Sequence, residues 1–107
     1  MLQLIESIIA REERFLLRFA PGTSHHSLLK NRIAALNTVQ EMLTGDRLPD
    51  RADLVFALPR VESMLRKVRK ARDKYEPGTR NYLRFDPTVQ RLKEAHALIL
   101  QMLEVAP

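Results

Sequence analysis

The sequence contains no cysteine and no tryptophan, and only three glycines among its 107 residues. Without cysteine the chain can form no disulfide framework and no cysteine-ligated zinc site. Charge interrupts every apolar run within about a dozen residues, so we expect no membrane-spanning segment and no membrane partner. The apolar start is broken by Glu6 and lacks both a preceding basic residue and a small-residue cleavage site, so we expect no signal peptide. These absences favour a cytoplasmic protein.

The composition that remains is typical of a globular domain. Hydrophobic residues make up 45% and charged residues 29% of the chain, which is too apolar for a disordered protein. A length of 107 residues is usual for one domain with a modest core. We therefore predict a single domain over residues 1–107.

Apolar residues recur at steps of three and four along almost the whole chain, which is the spacing of amphipathic helices. The stripes predict four helices, at about 2–19, 25–44, 59–75 and 87–104. Residues 50–59 are expected to form a short extra helix that Pro59 ends or kinks. Asp86 is an N-cap candidate for the last helix.

The tripeptide Pro-Gly-Thr occurs twice, at residues 21–23 and 77–79. When residues 5–23 are aligned with residues 61–79 without a gap, the glutamate, the serine and Pro-Gly-Thr match identically. The apolar stripe and the cation pattern also survive this shift of 56 positions. A helix and a loop that repeat in one register favour an internal duplication.

The helices that follow the two loops end alike, in Met42-Leu43 and Met102-Leu103, if the second loop is longer by four residues. The repeated unit then spans about 5–43 and 61–103. Two helical hairpins with one apolar face each bury those faces against each other. We therefore predict an all-α, up-down-up-down four-helix bundle built from a duplicated helical hairpin, with a short extra helix in the central connection.

Both Pro-Gly-Thr loops lie at one end of such a bundle, where we predict an anion-binding site. Each loop leads into a helix whose first N–H groups are unpaired and carry the positive end of the helix dipole. The predicted anion-binding residues are Thr23, Ser24, His25, His26, Thr79 and Arg80. Four extra residues before Pro87 would move the second helix away from its loop, which makes the first loop the better candidate. Capping of the helix by the loop threonine alone is the alternative explanation.

Residues 60–74 carry seven cations and two carboxylates, a net charge of +5 that equals the net charge of the whole chain. This basic helix is predicted to bind an acidic protein or a nucleic acid. The residues concerned are Arg66, Lys67, Arg69, Lys70 and Lys74. No aromatic residue interleaves with these cations, so nucleic-acid binding would be weak, salt-sensitive and non-specific. A solvated helix face is the alternative explanation.

No metal-binding, phosphate-binding or dinucleotide motif is present, so we expect no enzyme activity, no metal and no cofactor. One short pattern is an exception. Residues 91–96 read Arg-Leu-Lys-Glu-Ala-His, and this arginine and histidine separated by four residues resemble the motif of the HEPN ribonuclease family, whose members pair two subunits to build the site. The resemblance covers six residues and implies Arg91 and His96 as catalytic residues, although Leu92 stands where that family usually has a polar residue.

The sequence favours a non-enzymatic helical module that acts by self-association or protein binding. Leu4 and Leu17 lie outside the main stripe of the first helix, and the last helix contains the apolar stretch ALILQMLEV at residues 97–105. An apolar surface too wide for one seam is usually covered by a partner. We therefore predict a homodimer through the outer faces of the first and last helices. Nucleic-acid binding by the basic helix, or HEPN-like cleavage, is the alternative.

Overall fold

The computed structural model describes residues 2–105, so Met1, Ala106 and Pro107 of the predicted domain lie outside the described residues. The chain forms four helices, α1 (Leu2–Leu16), α2 (Ser24–Thr44), α3 (Arg51–Arg72) and α4 (Arg80–Val105). No strand occurs within residues 2–105. The predicted all-α class is confirmed, and the arrangement is compatible with a four-helix bundle.

Each helix packs against the next one in the chain, whereas α1 and α4 meet only slightly. The start of α1 lies beside the end of α2, where Gln40 Nε2 donates to Glu6 Oε1 at 3.5 Å. The start of α3 lies beside the end of α4, where Arg51 Nη1 donates to the carbonyl oxygen of Leu103 at 3.2 Å. The helices therefore pack mainly against their neighbours in the chain.

The core lies where the four helices meet, and it follows the predicted apolar stripes. The largest fully buried side chains are Ile5, Leu36, Leu54, Leu92, Ile99, Val39, Val61 and Val89. Each buried aliphatic side chain of this size contributes about 1.5–3 kcal/mol. Every helix supplies at least one of them, so the two halves of the chain share one core.

Helix α3 continues through Pro59, so the predicted separate helix over residues 50–59 is wrong. Proline lacks the N–H group that would bond to the carbonyl of Val55, four residues earlier. Val55 is 54% exposed, so the missing bond lies on the outward side of the helix. At its start α3 is fixed by a capping box in which Asp53 N donates to Asp50 Oδ1 at 2.8 Å. Strong capping and an exposed proline together let the helix run past this residue.

Helix α4 begins at Arg80, directly after the second Pro-Gly-Thr, and contains Pro87 in its interior. Thr79 Oγ1 accepts a hydrogen bond from Tyr82 N at 3.4 Å, as an N-cap does. The predicted lengthening of this loop by four residues is therefore wrong. As at Pro59, the residue four positions before the proline is exposed, here Leu83 at 55%.

Asp86 lies inside α4 and does not cap it. Its Oδ1 accepts hydrogen bonds from Arg72 Nη1 at 2.8 Å and from Gln90 Nε2 at 3.3 Å. These contacts hold the pKa of the Asp86 carboxyl below its ordinary value, with the Arg72 hydrogen bond as the main cause. The residue thus joins α3 to α4 instead of starting a helix.

The two Pro-Gly-Thr loops make the same hydrogen bonds in the 56-residue register. Thr23 Oγ1 donates to the carbonyl of Ala20 at 2.8 Å, and Thr79 Oγ1 donates to the carbonyl of Glu76 at 2.7 Å. The amide of each threonine bonds to that same carbonyl, at 3.3 and 3.2 Å. The loop glycines have φ angles of 89° and 84°, in the left-handed region that glycine tolerates best. Each loop is followed at once by its helix, so the register continues into α2 and α4.

Candidate anion-binding site

Three connected depressions lie in the half of the molecule nearer the Pro-Gly-Thr loops. Arg11 of α1 and Lys67 of α3 line all three. One of them, which we call the central cavity, has a volume of about 190 Å³. Its lining comes from all four helices and consists of Ile8, Arg11, Glu12, Arg32, Met64, Lys67, Val68, Thr88 and Leu92. Apolar core side chains thus form its floor, and charged side chains surround them.

The central cavity lies between the two halves of the chain. Pairs of residues that are 56 positions apart both line it, namely Ile8 with Met64, Arg11 with Lys67, Glu12 with Val68, and Arg32 with Thr88. The first two pairs are chemically alike. The last two are not, because the first half places an acid and an arginine where the second half has Val68 and Thr88. The unusual chemistry of the cavity therefore comes from Glu12 and Arg32.

Glu12 is a buried acidic residue, with 8% of its surface exposed. None of the ion pairs in the described part of the chain involves it. A buried carboxylate ordinarily loses hydration that only a cation or several hydrogen bonds can replace. Its position on the cavity wall places a carboxylate among the cations of the site.

Arg32 carries the second unmatched charge. Its Nε and Nη2 atoms are buried and have no hydrogen-bond partner. A buried donor without an acceptor costs about 1–3 kcal/mol, and more when the group is charged. Arg32 and Glu12 line the same cavity without forming an ion pair, so these two guanidinium nitrogens have no acceptor within the described part of the chain.

A second depression, the aromatic groove, continues from the cavity along α1 and α2 and has a volume of about 550 Å³. Phe15, Phe19 and His25 line it together with Arg11 and Lys67. The Phe19 and His25 rings are stacked, with centroids 5.1 Å apart and an interplanar angle of 12°. Phe15 is 40% exposed. The groove thus combines accessible rings with cationic side chains.

The third depression, the α4 cleft, has a volume of about 240 Å³ and adds Arg84 and Phe85 to the shared cations. The Phe85 ring stacks on Tyr75, with centroids 6.3 Å apart. Around the three depressions the charged residues are Arg11, Arg32, Lys67 and Arg84 against the single carboxylate of Glu12. The surface as a whole is therefore cationic.

Of the six residues predicted to bind an anion at the loops, only His25 lines one of these depressions. Thr23 and Thr79 are engaged as N-caps, since their hydroxyl oxygens accept from His26 N at 3.2 Å and from Tyr82 N at 3.4 Å. Arg80 lines a further surface depression with Asn81 and Arg84, and Arg84 also lines the third depression. Ser24 is exposed at the start of α2.

The predicted nucleic-acid-binding residues of α3 are divided between two faces of the helix. Lys67 lines the three connected depressions, whereas Arg66 and Arg69 line another groove between α3 and α4. Lys70 and Lys74 are exposed and line neither. The cations of this helix therefore border two different depressions.

The two residues of the HEPN-like pattern have separate partners. Arg91 Nη1 donates to both carboxylate oxygens of Glu94, at 2.6 and 2.8 Å. His96 Nε2 lies 3.6 Å from Glu62 Oε2, in the groove that contains Arg66. Leu92, between them in sequence, is a core residue with 1% exposure.

Sequence motifs do not identify Glu12, Arg32 or Arg11 as site residues. A signal for Glu12 is nevertheless present in the sequence. It stands at the next helical step after the stripe of isoleucines at positions 5, 8 and 9, where an apolar residue is expected. The 56-residue register makes the same point, since it aligns this acid with Val68.

No protein-family model matches the chain, and no curated protein or solved structure is detectably similar to it. No helix within residues 2–105 has the length and apolar character needed to cross a membrane. In the same range no three acidic, histidine or cysteine side chains are grouped to hold a metal ion.

Proposed function

We propose that this protein is a small helical binding module, without catalytic chemistry of its own, that holds a single-stranded nucleic acid across the three connected depressions. One observation carries the proposal: cations from α1, α3 and α4 line the same adjoining depressions as the rings of Phe15, Phe19 and Phe85. Cations attract phosphates, and each base stacked on an aromatic side chain contributes about 1–3 kcal/mol. Neither interaction reads base edges, so we expect binding that depends on salt and little on sequence.

This interface differs from the basic helix surface suggested by the sequence. It uses Lys67 of α3, leaves out Arg66, and adds Arg11 and Arg84 from other helices. The aromatic residues that the basic segment lacks are supplied by Phe15 and Phe85, which are distant in sequence. The cations and rings are brought together only by folding.

The test is a comparison of two neighbouring charge reversals. A labelled single-stranded RNA of about 12 nucleotides, within the site size typical of such proteins, is titrated with protein and followed by fluorescence anisotropy. Lys67→Glu should raise the dissociation constant about tenfold, which corresponds to about 1.4 kcal/mol. Arg66→Glu makes the same change in charge at the adjacent exposed position of α3 and should change it less than about twofold. Equal effects of the two reversals would contradict the proposed interface.

An acidic protein segment is the competing partner, because it satisfies the cations without using the rings. Phe15→Ala separates the two partners. It should weaken RNA binding and leave binding of a polyglutamate peptide unchanged. If polyglutamate displaces RNA at equal charge concentration and Phe15→Ala affects neither ligand, the partner is an acidic protein.

Self-association is a second candidate function, favoured by exposed apolar side chains near the start of α3 and the end of α4. Val55 is 54% exposed and Leu100 is 43% exposed. Of the two residues expected on the outer face of the first helix, Leu4 packs against the core and Leu17 is 88% exposed beyond the end of α1. We propose a homodimer through the α3–α4 side. Light scattering should then give twice 12.4 kDa, and Val55→Glu should restore 12.4 kDa. A mass of 12.4 kDa for the unaltered chain at micromolar concentration excludes the dimer.

We also propose that the chain is a duplicated helical hairpin in up-down-up-down order. The matching loop hydrogen bonds and the paired cavity residues support a constant register of 56 positions. In that register Leu36 aligns with Leu92 and Leu43 with Ile99, whereas Met42-Leu43 does not align with Met102-Leu103. The resemblance of the helix ends is then accidental, and α4 is simply longer at its end.

A further inference from the structure

We infer that the central cavity is a subsite for a phosphate monoester and that Arg32 is its anchor. The chemical class includes free inorganic phosphate and the terminal phosphate of a nucleic-acid strand. The inference rests on the proposed function only for the second of these sources. It goes beyond that function because it assigns Arg32, whose Nε and Nη2 atoms are buried, and one chemical group to a particular cavity.

One observation points to an anion in this cavity, and a second shows that the protein does not supply it. Arg32 has two buried guanidinium nitrogens, Nε and Nη2, without an acceptor. Glu12, on the same wall, is 8% exposed and takes part in none of the ion pairs of residues 2–105. An oxyanion offers the guanidinium fork the bidentate acceptor that it lacks.

The charge around the cavity selects among oxyanions. Arg11, Arg32 and Lys67 supply three positive charges and Glu12 one negative charge, which leaves two positive charges. A phosphate monoester carries about −1.5 to −2 at neutral pH, whereas a carboxylate or an internal phosphodiester carries one negative charge. A direct ion pair between Arg32 and Glu12 would not alter this sum. The monoester therefore neutralises the cavity best.

The size of the cavity agrees with a small group. Its volume of about 190 Å³ is several times the share of one water molecule, which is about 30 Å³ in the liquid. It accommodates a phosphate and its hydrogen bonds, while a base and sugar would remain in the adjoining aromatic groove. Thr88 adds a hydroxyl group to the lining.

The first experiment uses the full chain and inorganic phosphate. Proton–nitrogen NMR of arginine side chains should show a saturable shift of the Arg32 Nε–H signal as phosphate is added. Arg32→Lys keeps the charge but removes the fork, and it should weaken phosphate binding at least tenfold. Arg14→Lys, at an exposed position outside the three depressions, is the matched control and should bind as the unaltered chain does.

A second variant keeps the inference testable if Arg32→Lys folds poorly. Glu12→Gln removes the negative charge that faces the bound anion, so it should tighten phosphate binding severalfold. If phosphate leaves the Arg32 signal unmoved, or if Glu12→Gln and Arg32→Lys both bind phosphate as the unaltered chain does, the subsite does not exist.

The second experiment separates this inference from the proposed function. Two RNA strands of the same sequence are compared, one with a 5′-phosphate and one with a 5′-hydroxyl group. The phosphorylated strand should bind severalfold more tightly to the unaltered chain but not to Arg32→Lys. Equal binding of both strands, together with no response to inorganic phosphate, overturns the subsite and leaves the nucleic-acid interface standing. Binding of inorganic phosphate with no binding of either strand supports the subsite and overturns the interface.

Discussion

Glu12 is an acidic residue at a position of α1 where the helical spacing of buried side chains predicts an apolar one. The stripe of α1 buries apolar side chains at each helical step, and this acid occupies the next step. Its counterpart in the second half is Val68, which is apolar and packs against the core. Because the desolvation of a buried carboxylate is not repaid without a cation in contact, we expect this position to lower the stability of the fold.

Replacing the acid by a residue of similar size tests that expectation. Glu12→Leu should raise the free energy of unfolding by about 1–2 kcal/mol, within the range seen when buried charges are replaced by apolar groups. Thermal unfolding in phosphate-free buffer, followed by far-ultraviolet circular dichroism, measures the change. Glu13→Leu, at the exposed neighbouring position, should alter it by less than about 0.5 kcal/mol. A lower melting temperature for Glu12→Leu would show that the carboxylate has a stabilising partner.

Asp86 is a charged residue of the opposite kind, since its contacts with Arg72 and Gln90 favour the ionised form and hold its pKa below the ordinary value. A group whose pKa is lower in the folded state contributes stability above its unfolded pKa, near 4 for aspartate. That contribution is lost as the pH falls through the folded pKa. Asp86→Asn should therefore destabilise the protein at pH 7 and have progressively less effect below about pH 4. Urea unfolding of both proteins across this range measures it, and an effect independent of pH would assign the loss to packing.

At the scale of elements, the internal prolines explain where sequence rules fail. The helical periodicity located all four helices, because burial of one face decides it. In the sequence, Pro59 and Pro87 predict helix ends, because a proline cannot donate the helical hydrogen bond to the carbonyl four residues earlier. In the fold both prolines and those preceding residues face the surface, where water can replace the lost bond. Whether a helix survives a proline thus depends on an exposure that only the tertiary structure defines.

The prolines should therefore be tolerated but unfavourable. Pro59→Ala restores an N–H group opposite the Val55 carbonyl and improves helix propensity, so it should raise the free energy of unfolding by about 1 kcal/mol. Pro87→Ala should act in the same direction, with Leu83 as the residue that regains its bond. Chemical unfolding of the two variants measures the gain. A loss of stability in both would show that the bends they introduce are needed for packing.

The Pro-Gly-Thr loops permit a comparison of two positions with one geometry. Nothing lies within 4 Å of a Cβ atom built on Gly22 or on Gly78, so an alanine there meets no steric obstacle. Its cost comes from the left-handed backbone alone and should be about 1–2 kcal/mol. If the loops are equivalent, Gly22→Ala and Gly78→Ala lower the free energy of unfolding by the same amount. A difference larger than about 0.5 kcal/mol would show that the two loops contribute unequally to the stability of the fold.

At the scale of the whole molecule, the site lies beyond the reach of local patterns because four helices build it. Arg11, Arg32, Lys67 and Thr88 are far apart in sequence and meet only when the helices pack. The predicted loop site and the basic helix are each local in sequence. The loop site shares His25 with the aromatic groove, and the basic helix shares Lys67 with the central cavity. From the helical periodicity and the repeated loops, the sequence predicted only the end of the bundle near which the cationic residues lie.

The shared core makes the final prediction one about cooperativity. Both tyrosines, Tyr75 and Tyr82, lie in the second half of the chain, and the sequence contains no tryptophan. Tyrosine fluorescence therefore reports on the second half alone, whereas circular dichroism reports on all four helices. Because α2 and α3 pack against each other and their buried side chains belong to one cluster, the two signals should give one unfolding midpoint.

Leu36→Ala sharpens this test, because Leu36 lies in α2 and is fully buried. Removing its side chain should cost about 3 kcal/mol, a typical value for a leucine truncated in a core. If the halves unfold together, the tyrosine midpoint and the circular dichroism midpoint fall equally, although the substitution is in the half without tyrosine. A tyrosine midpoint that stays in place while the circular dichroism midpoint falls would mean that each hairpin folds by itself. The central cavity would then lie between two independently folding units. Phosphate bound there should bring the two unfolding midpoints together, because a ligand held by residues of both halves stabilises only their joined state.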